Sequence, residues 1–259
     1  MEIDVTVSLV SYNQRFDLER LLPSLVPATS LVQSEILLVG NRSTDGTNEF
    51  VQHNFPIIQI LSNPNRAGYG ENHNLNLQRA CGRYFVIMNS DMQVTDDVFF
   101  RLRDYMEVHP EIGILSPKIL NGDGSIQGLN KRYPTLLDLF LRGFVPRYVQ
   151  SFFRRRMDYY EMRDIGYDHS YDVPFLSGAF MFCRTDLLKS LNGFDSSYFL
   201  YFEDADLCRR VQRTHRTVYY PNVSVTHFWK RSAHVNWVYT YYFLKSALQY
   251  FGRWGYKLY

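Results

Sequence analysis

Two hydrophobic periods alternate along the first hundred residues. Val5–Ser11 is a β-branched apolar run, and Phe16–Leu25 follows with Leu18, Leu21, Leu22 and Leu25 at helical spacing. Glu35–Val39 predicts a second buried strand; a Ser-Thr-Asp-Gly turn then leads into a helix over Asp45–Asn54. Pro56–Leu61 predicts a third strand, Glu71–Cys81 a helix and Tyr84–Met88 a fourth strand. Strands alternating with helices predict an α/β fold, a mostly parallel, Rossmann-like sheet flanked by helices. Such sheets bind ligands beyond the carboxyl ends of their strands. Ser11-Tyr12-Asn13, Gly40-Asn41 and Asn89-Ser90-Asp91 all stand there.

The pattern is looser downstream. A helix is expected from Asp97 to Val108, a strand over Gly113–Ile119, and a hairpin turn at Asn121-Gly122-Asp123-Gly124. Tyr133–Asp172 is irregular, aromatic and basic, with Arg142, Arg147 and Arg154-Arg155-Arg156. Pro174–Arg184 reads as a buried strand in which Ser177-Gly178-Ala179 is small enough for close backbone approach. A short helix over Thr185–Leu191 and a strand over Thr217–Tyr220 follow. From about Asn236, Trp237, Tyr241, Leu244, Leu248 and Phe251 form one helical stripe, with Lys245, Arg253 and Lys257 to its side and back. That stripe either docks on the domain or lies on an anionic membrane surface.

Composition narrows the function. At 259 residues the chain suits one large α/β domain with an appendage. A net charge of +2 argues against a general nucleic-acid binder. Cys81, Cys183 and Cys208 form neither a disulfide framework nor a metal knuckle, as a reducing cytosol would allow. The 20 Tyr and 19 Phe suit sugars and membrane interfaces as well as a core. Met1–Val5 enters a strand at once and does not read as a signal peptide. The longest apolar stretch, Val173–Cys183, is too short and broken to span a bilayer. The expected location is therefore cytoplasmic, with any membrane contact peripheral, on the inner face of the cell membrane.

Chemistry concentrates at Tyr198-Phe199-Leu200-Tyr201-Phe202-Glu203-Asp204-Ala205-Asp206. Three carboxylates fall within four positions, directly after an aromatic run. Aromatic walls raise a carboxylate's pKa and shape a sugar-sized pocket, and such a group can act as a base. The plainer reading is a solvated helix start with Asp206 paired to Arg210.

In order, the chain carries Ser11-Tyr12-Asn13, Val39-Gly40-Asn41-Arg42-Ser43-Thr44-Asp45-Gly46, Gly68-Tyr69-Gly70 leading to Asn74, and Asn89-Ser90-Asp91. Leu176-Ser177-Gly178-Ala179, Gly193-Phe194-Asp195, Glu203-Asp204 and Pro221–His227 follow. Each motif is weak alone. As an ordered set over about residues 4–230 they resemble glycosyltransferase family 2, in particular its bacterial rhamnosyltransferase-like branch.

The resemblance implies a GT-A fold over residues 1–232, with a nucleotide-sugar half (1–97), an acceptor half (98–232) and the aromatic helix at 233–259. It implies that Ser11, Tyr12, Asn13, Gly40, Asn41, Asp45, Gly68, Asn74, Asn89, Ser90, Asp91 and Gly178 surround the nucleotide-sugar donor. Asp91 and His227 would hold Mn²⁺ or Mg²⁺ against the diphosphate, whose leaving charge a hard cation offsets. Asp204 would be the base of an inverting single displacement, with Glu203 orienting it or the acceptor. Trp229, Lys230 and Arg231 could close over the diphosphate; a surface loop is their plain reading. The acceptor would be a saccharide, on a polyprenyl carrier at the membrane. Two departures stand out. Gly40 replaces the family's usual Asp, and Asn89 replaces the first Asp of Asp-x-Asp. These keep a silent nucleotide- or sugar-binding module open as an alternative. A sugar nucleotidyltransferase is the other; it would want a basic Gly-rich loop, where Val10–Phe16 offers only Arg15. Capping is the plain role for Ser43 and Asp45, and a structural one for His227.

Overall fold

The computed structural model describes residues 2–146, 148, 151–229 and 237–259. Arg147, Lys230, Arg231 and the expected 232/233 boundary lie outside the described residues. Strand β1 (Val5–Ser11) pairs in parallel with β2 (Ser34–Asn41) and β4 (Tyr84–Met88), and β2 pairs in parallel with β3 (Gln59–Asn63). Helices α1 (Arg15–Ala28), α2 (Thr47–Asn54) and α3 (Tyr69–Arg79) make the crossovers. The expected α/β half is thus present. Its third strand starts three residues late, after Pro56.

Beyond β4 the sheet changes character. The order is β3-β2-β1-β4-β8-β6-β9-β5, where β5 is Met92–Gln93, β6 Ile112–Leu120, β8 Phe180–Arg184 and β9 Arg216–His227. β8 runs antiparallel to both β4 and β6, so the sheet is mixed. A short β7 (Tyr171–Asp172) pairs with β9. Helix α4 (Val98–Glu107) precedes β6, and α5 (Leu136–Phe144) and α6 (Arg154–Tyr160) occupy the irregular stretch. Then come α7 (Thr185–Ser190), α8 (Glu203–Val211) and α9 (Trp237–Trp254).

Three local readings need correction. The expected strand over Thr217–Tyr220 runs on to His227. Pro221 reads as a stop because it cannot donate to a ladder, but the register jumps between Pro117 and Lys118 and the strand passes Pro221 in a bulge. That continuation carries His227 to the site. The expected strand over Pro174–Arg184 is regular only from Phe180; Phe175 makes a single bridge to Lys131, and Gly178 and Ala179 form a turn. The turn after Asn121 closes with one bridge, Leu120 to Ile126, short of a hairpin ladder.

The core has two faces. One cluster packs α1 and α4 on the sheet through Leu18, Leu22, Phe99 and Leu102. The other packs α3, α7 and α8 through Leu77, Leu188, Leu207 and Val211. A third cluster joins Leu139 of α5, Ala205 of α8, and Ala247, Tyr250 and Phe251 of α9. The predicted stripe on α9 is not the docked face. Trp237, Tyr241, Leu244 and Leu248 are exposed, and only Phe251 of the stripe is buried. Ala247, Tyr250 and Phe251, with partly buried Phe243 and Trp254, turn inward instead.

Candidate functional site

The site gathers where β4 and β9 end and β8 begins, beside the start of α3. The Tyr69 hydroxyl lies 2.9 Å from Asn89 Oδ1 and 2.8 Å from the Gly178 carbonyl. Burial, then the charges of Glu203, Asp204 and Asp91, push its phenol well above the ordinary value. Tyr69 therefore stays neutral and stands among all three carboxylates. Gly68 allows this. A Cβ there would fall 2.8–2.9 Å from the backbone of Phe199 and Tyr198, while the next amide, Tyr69 N–H, bonds the Phe199 carbonyl at 2.9 Å.

On one side of Tyr69 lie Asp91 and His227. Pairing of Met92 with His227 sets them side by side, with His227 Nε2 3.1 Å from Asp91 Oδ1. His227 is buried, and its Nδ1 lies 2.9 Å from Gln127 Oε1 while Gln127 Nε2 donates to the His227 carbonyl. Gln127 Oε1 can only accept, so Nδ1 carries the proton and Nε2 presents a lone pair. Asp91 Oδ1 is buried without a hydrogen-bond donor. Two acceptor atoms this close, one of them orphaned, fit a hard divalent cation. Adjacent ligands at about 2.1 Å in an octahedron stand roughly 3 Å apart, and Gln127 supplies the outer hydrogen bond that fixes a metal-bound histidine. Among the described residues no third His, Cys, Asp or Glu joins them. Other ligands would have to come from substrate and water.

On the other side, Asp204 Oδ2 accepts the Gly178 N–H at 3.0 Å and Oδ1 the Ala205 N–H at 2.9 Å. Burial raises its pKa against the pull of these amides and of Lys131. Glu203 is buried, its Oε2 has no partner, and burial followed by the Asp204 charge raises it well above the carboxylate range. The two environments push the acids apart: Glu203 keeps its proton and Asp204 is the one that ionises. Tyr201 and Phe202 immediately before them have φ of 72° and 65°. Bulky residues rarely adopt that region, and strain of this kind collects at functional sites. Asp206 pairs with Arg210 at 2.7 Å, as its spacing predicts.

The donor half is less uniform. Ser11 Oγ and Ser90 Oγ are buried and unpartnered. Tyr12 is exposed with the Arg66 guanidinium 4.5 Å above its ring. Asn13, at φ 53°, accepts the Thr44 N–H at 2.7 Å, and Asp45 accepts from Arg15 N–H and Thr47 N–H, capping two helices. Asn41 brackets Ala67 with both amide atoms. These side chains build the walls that the loops need. The Asn74 amide holds both backbone groups of Phe194. A Cβ on Gly40 would fall 2.2 Å from Asn48 Oδ1, so Asn48 fills the space of the missing carboxylate. That oxygen is buried and orphaned. Sequence reasoning missed Asn48, Tyr69, Gln127 and Lys131. Only Tyr69 carried a signal, standing between two glycines.

Residues 4–256 match the family model described as Glycosyltransferase like family 2. A curated relative, the N-acetylglucosaminyl-diphospho-decaprenol L-rhamnosyltransferase of Mycobacterium tuberculosis, is 29% identical over 239 residues, covering 85% of this chain and 75% of the relative. Among solved structures, a mannosyltransferase from Pyrobaculum calidifontis with GDP-Man and Mn²⁺ aligns at TM-score 0.66 and 18% identity, over 98% of this chain and 64% of that one. S. aureus TarS 1-349 with UDP-GlcNAc aligns at 0.62 and 18%, over 90% and 60%. The chain thus spans under two thirds of these structures, and the likeness shows a shared fold.

Proposed function

The chain belongs to glycosyltransferase family 2, and on that premise we propose that it is an inverting, metal-dependent transferase moving a sugar from a nucleotide-sugar to a hydroxyl of a saccharide acceptor. The carrying observation is Asp204. It is the ionisable member of a buried acid pair, fixed on the Gly178 N–H, while the Tyr69 hydroxyl reaches the Gly178 carbonyl and Asn89. Asp204 takes the proton of the acceptor hydroxyl as that oxygen attacks the anomeric carbon, and the nucleoside diphosphate leaves from the opposite face. Protonated Glu203 orients the acceptor. Asp91 and His227 would hold Mn²⁺ or Mg²⁺, which when bound offsets charge on the departing diphosphate. Ser11, Tyr12, Asn13, Gly40, Asn41, Asp45, Gly68, Asn74, Asn89, Ser90 and Gly178 form the donor side, with residues 98–232 supplying the acceptor side.

The finer reading is a dTDP-rhamnose or UDP-sugar donor and an acceptor saccharide on a polyprenyl diphosphate, met at the inner face of the cell membrane in surface-polysaccharide synthesis. Its support is the mycobacterial relative, whose name carries a decaprenol-linked acceptor and rhamnosyl transfer. No described helix is long and apolar enough to cross a membrane, which agrees with peripheral contact. Calorimetric titration with dTDP, UDP, GDP and ADP, with and without Mn²⁺, tests the donor. Metal-dependent binding of dTDP or UDP is expected. Binding of none would favour the silent module.

A further inference from the structure

We propose that the outer face of α5 and α9 is a docking surface for an anionic lipid bilayer. The proposal deepens the lipid-linked acceptor reading and rests on it for its purpose, though not for its evidence. Helix α9 has two faces. The inner face is fixed to the catalytic helix α8. Trp254 Nε1 donates to Asp206 at 2.9 Å, Arg253 reaches the same carboxylate at 3.1 Å, and Arg209 donates to the Tyr250 hydroxyl at 2.7 Å. The outer face, about a third of a turn away, carries Trp237, Tyr241, Leu244 and Leu248 at 88%, 61%, 43% and 64% exposure.

A groove of about 170 Å³ runs between the two helices. Leu136, Leu139 and Phe140 line one wall and Leu244, Leu248 and Phe251 the other. Phe140 is 57% exposed, and Phe152 nearby in sequence 85%. Backbone bonds from Leu136 and Leu137 to Lys257 and Leu258 tie the segment after α9 to the start of α5, so the surface is continuous.

Charge identifies the occupant. All 26 acidic residues precede Leu207, so α9 and everything after α8 lack a carboxylate side chain. Leu139–Met157 also contains none. Exposed Lys245 and Lys257 stand on α9 and the segment after it, and exposed Arg155 on α6, where Arg154 is paired with Asp158 at 3.7 Å. On α9 and the segment after it, apolar side chains flanked by Lys245 and Lys257 with no acid between them match a headgroup layer, where Trp and Tyr settle at the interface. A second copy of the chain would bring like charges together across the same face.

The test is co-sedimentation of the full chain with vesicles of phosphatidylcholine containing about 30 mol% phosphatidylglycerol, and with phosphatidylcholine alone. Wild type should bind the anionic vesicles preferentially. Leu244→Glu/Leu248→Glu should lower that partitioning at least about tenfold, with melting temperature and nucleoside diphosphate affinity unchanged. Equal binding by the variant, or none by wild type, overturns the proposal. So does light scattering that finds a dimer which the double substitution dissociates, because the face then belongs to a second copy. Vesicle binding without transfer to any lipid-linked acceptor would sink the acceptor reading alone. Transfer to a soluble acceptor by a protein that ignores vesicles would sink the surface alone.

Discussion

Replacing Lys131 by methionine should stabilise the protein and impair it at the same time. Lys131 is 9% exposed, pairs through its backbone with Phe175, and holds its ammonium 4.9 Å from that ring. Burial, then the nearby charge of Arg142, lowers its pKa from 10.5 to about 7, while Asp204 and Glu161 pull the other way. The folded value lies below the unfolded one. Between pH 7 and 10.5 the unfolded chain therefore binds the extra proton, and stability rises with pH. At about 1.4 kcal/mol per pH unit, the whole gap is worth roughly 5 kcal/mol against folding near pH 7. Methionine fills similar volume without the charge. After loss of the ring contact and some repacking, Lys131→Met should gain about 2–4 kcal/mol near pH 7. Its stability should also no longer rise toward pH 9. Activity should move oppositely. Lys131 is one of the groups that lower Asp204, so its removal should carry the acidic limb of kcat to higher pH. Urea unfolding near pH 7 and pH 9, with kcat profiles across the acidic range, reads both effects. A variant no more stable than wild type, or an unmoved limb, would refute the reasoning.

Other substitutions reach separate parts of the site. Gln127→Leu removes the acceptor that fixes the His227 tautomer and should weaken Mn²⁺ binding in the presence of nucleoside diphosphate by about 10–100-fold; calorimetry checks this. Gly40→Ala forces Asn48 aside and should cost about tenfold in nucleotide affinity; an unchanged Kd would remove this corner from the donor site. His73 is fully buried beside Ser8, and burial lowers its pKa from 6.5 to about 3. The unfolded chain thus gains a proton first as pH falls. Stability present above pH 6.5 should decline by about 2 kcal/mol by pH 5, and His73→Asn should flatten that slope in urea titrations.

Much of the architecture was legible because local and global signals agreed. Val5–Ser11 and Tyr84–Met88 are continuous apolar runs, and both strands formed at the expected bounds. The misreadings have physical causes. Pro221 masks a strand that continues through a bulge. The α9 stripe was assigned by its largest side chains, yet small Ser246 and Ala247 lie on the buried side, where the helix approaches α8. Asp91, His227 and Asp204 were singled out through motif order, because a helix-starting acid and a strand-ending histidine announce little on their own. Tyr69, Gln127, Lys131 and Asn48 depend on contacts 20 to 109 residues distant or on a glycine's empty side. Neither leaves a periodic trace.

The central claim is that Asp204 is the base of an inverting transfer. The direct measurement is single-turnover transfer by Asp204→Asn, with donor binding followed in the same preparation. Transfer should fall by about 10²–10⁴-fold while the nucleotide-sugar and Mn²⁺ bind as in wild type, and the wild-type product should have the anomeric configuration opposite to the donor's. Undiminished transfer by the variant, or a retained configuration, would contradict it.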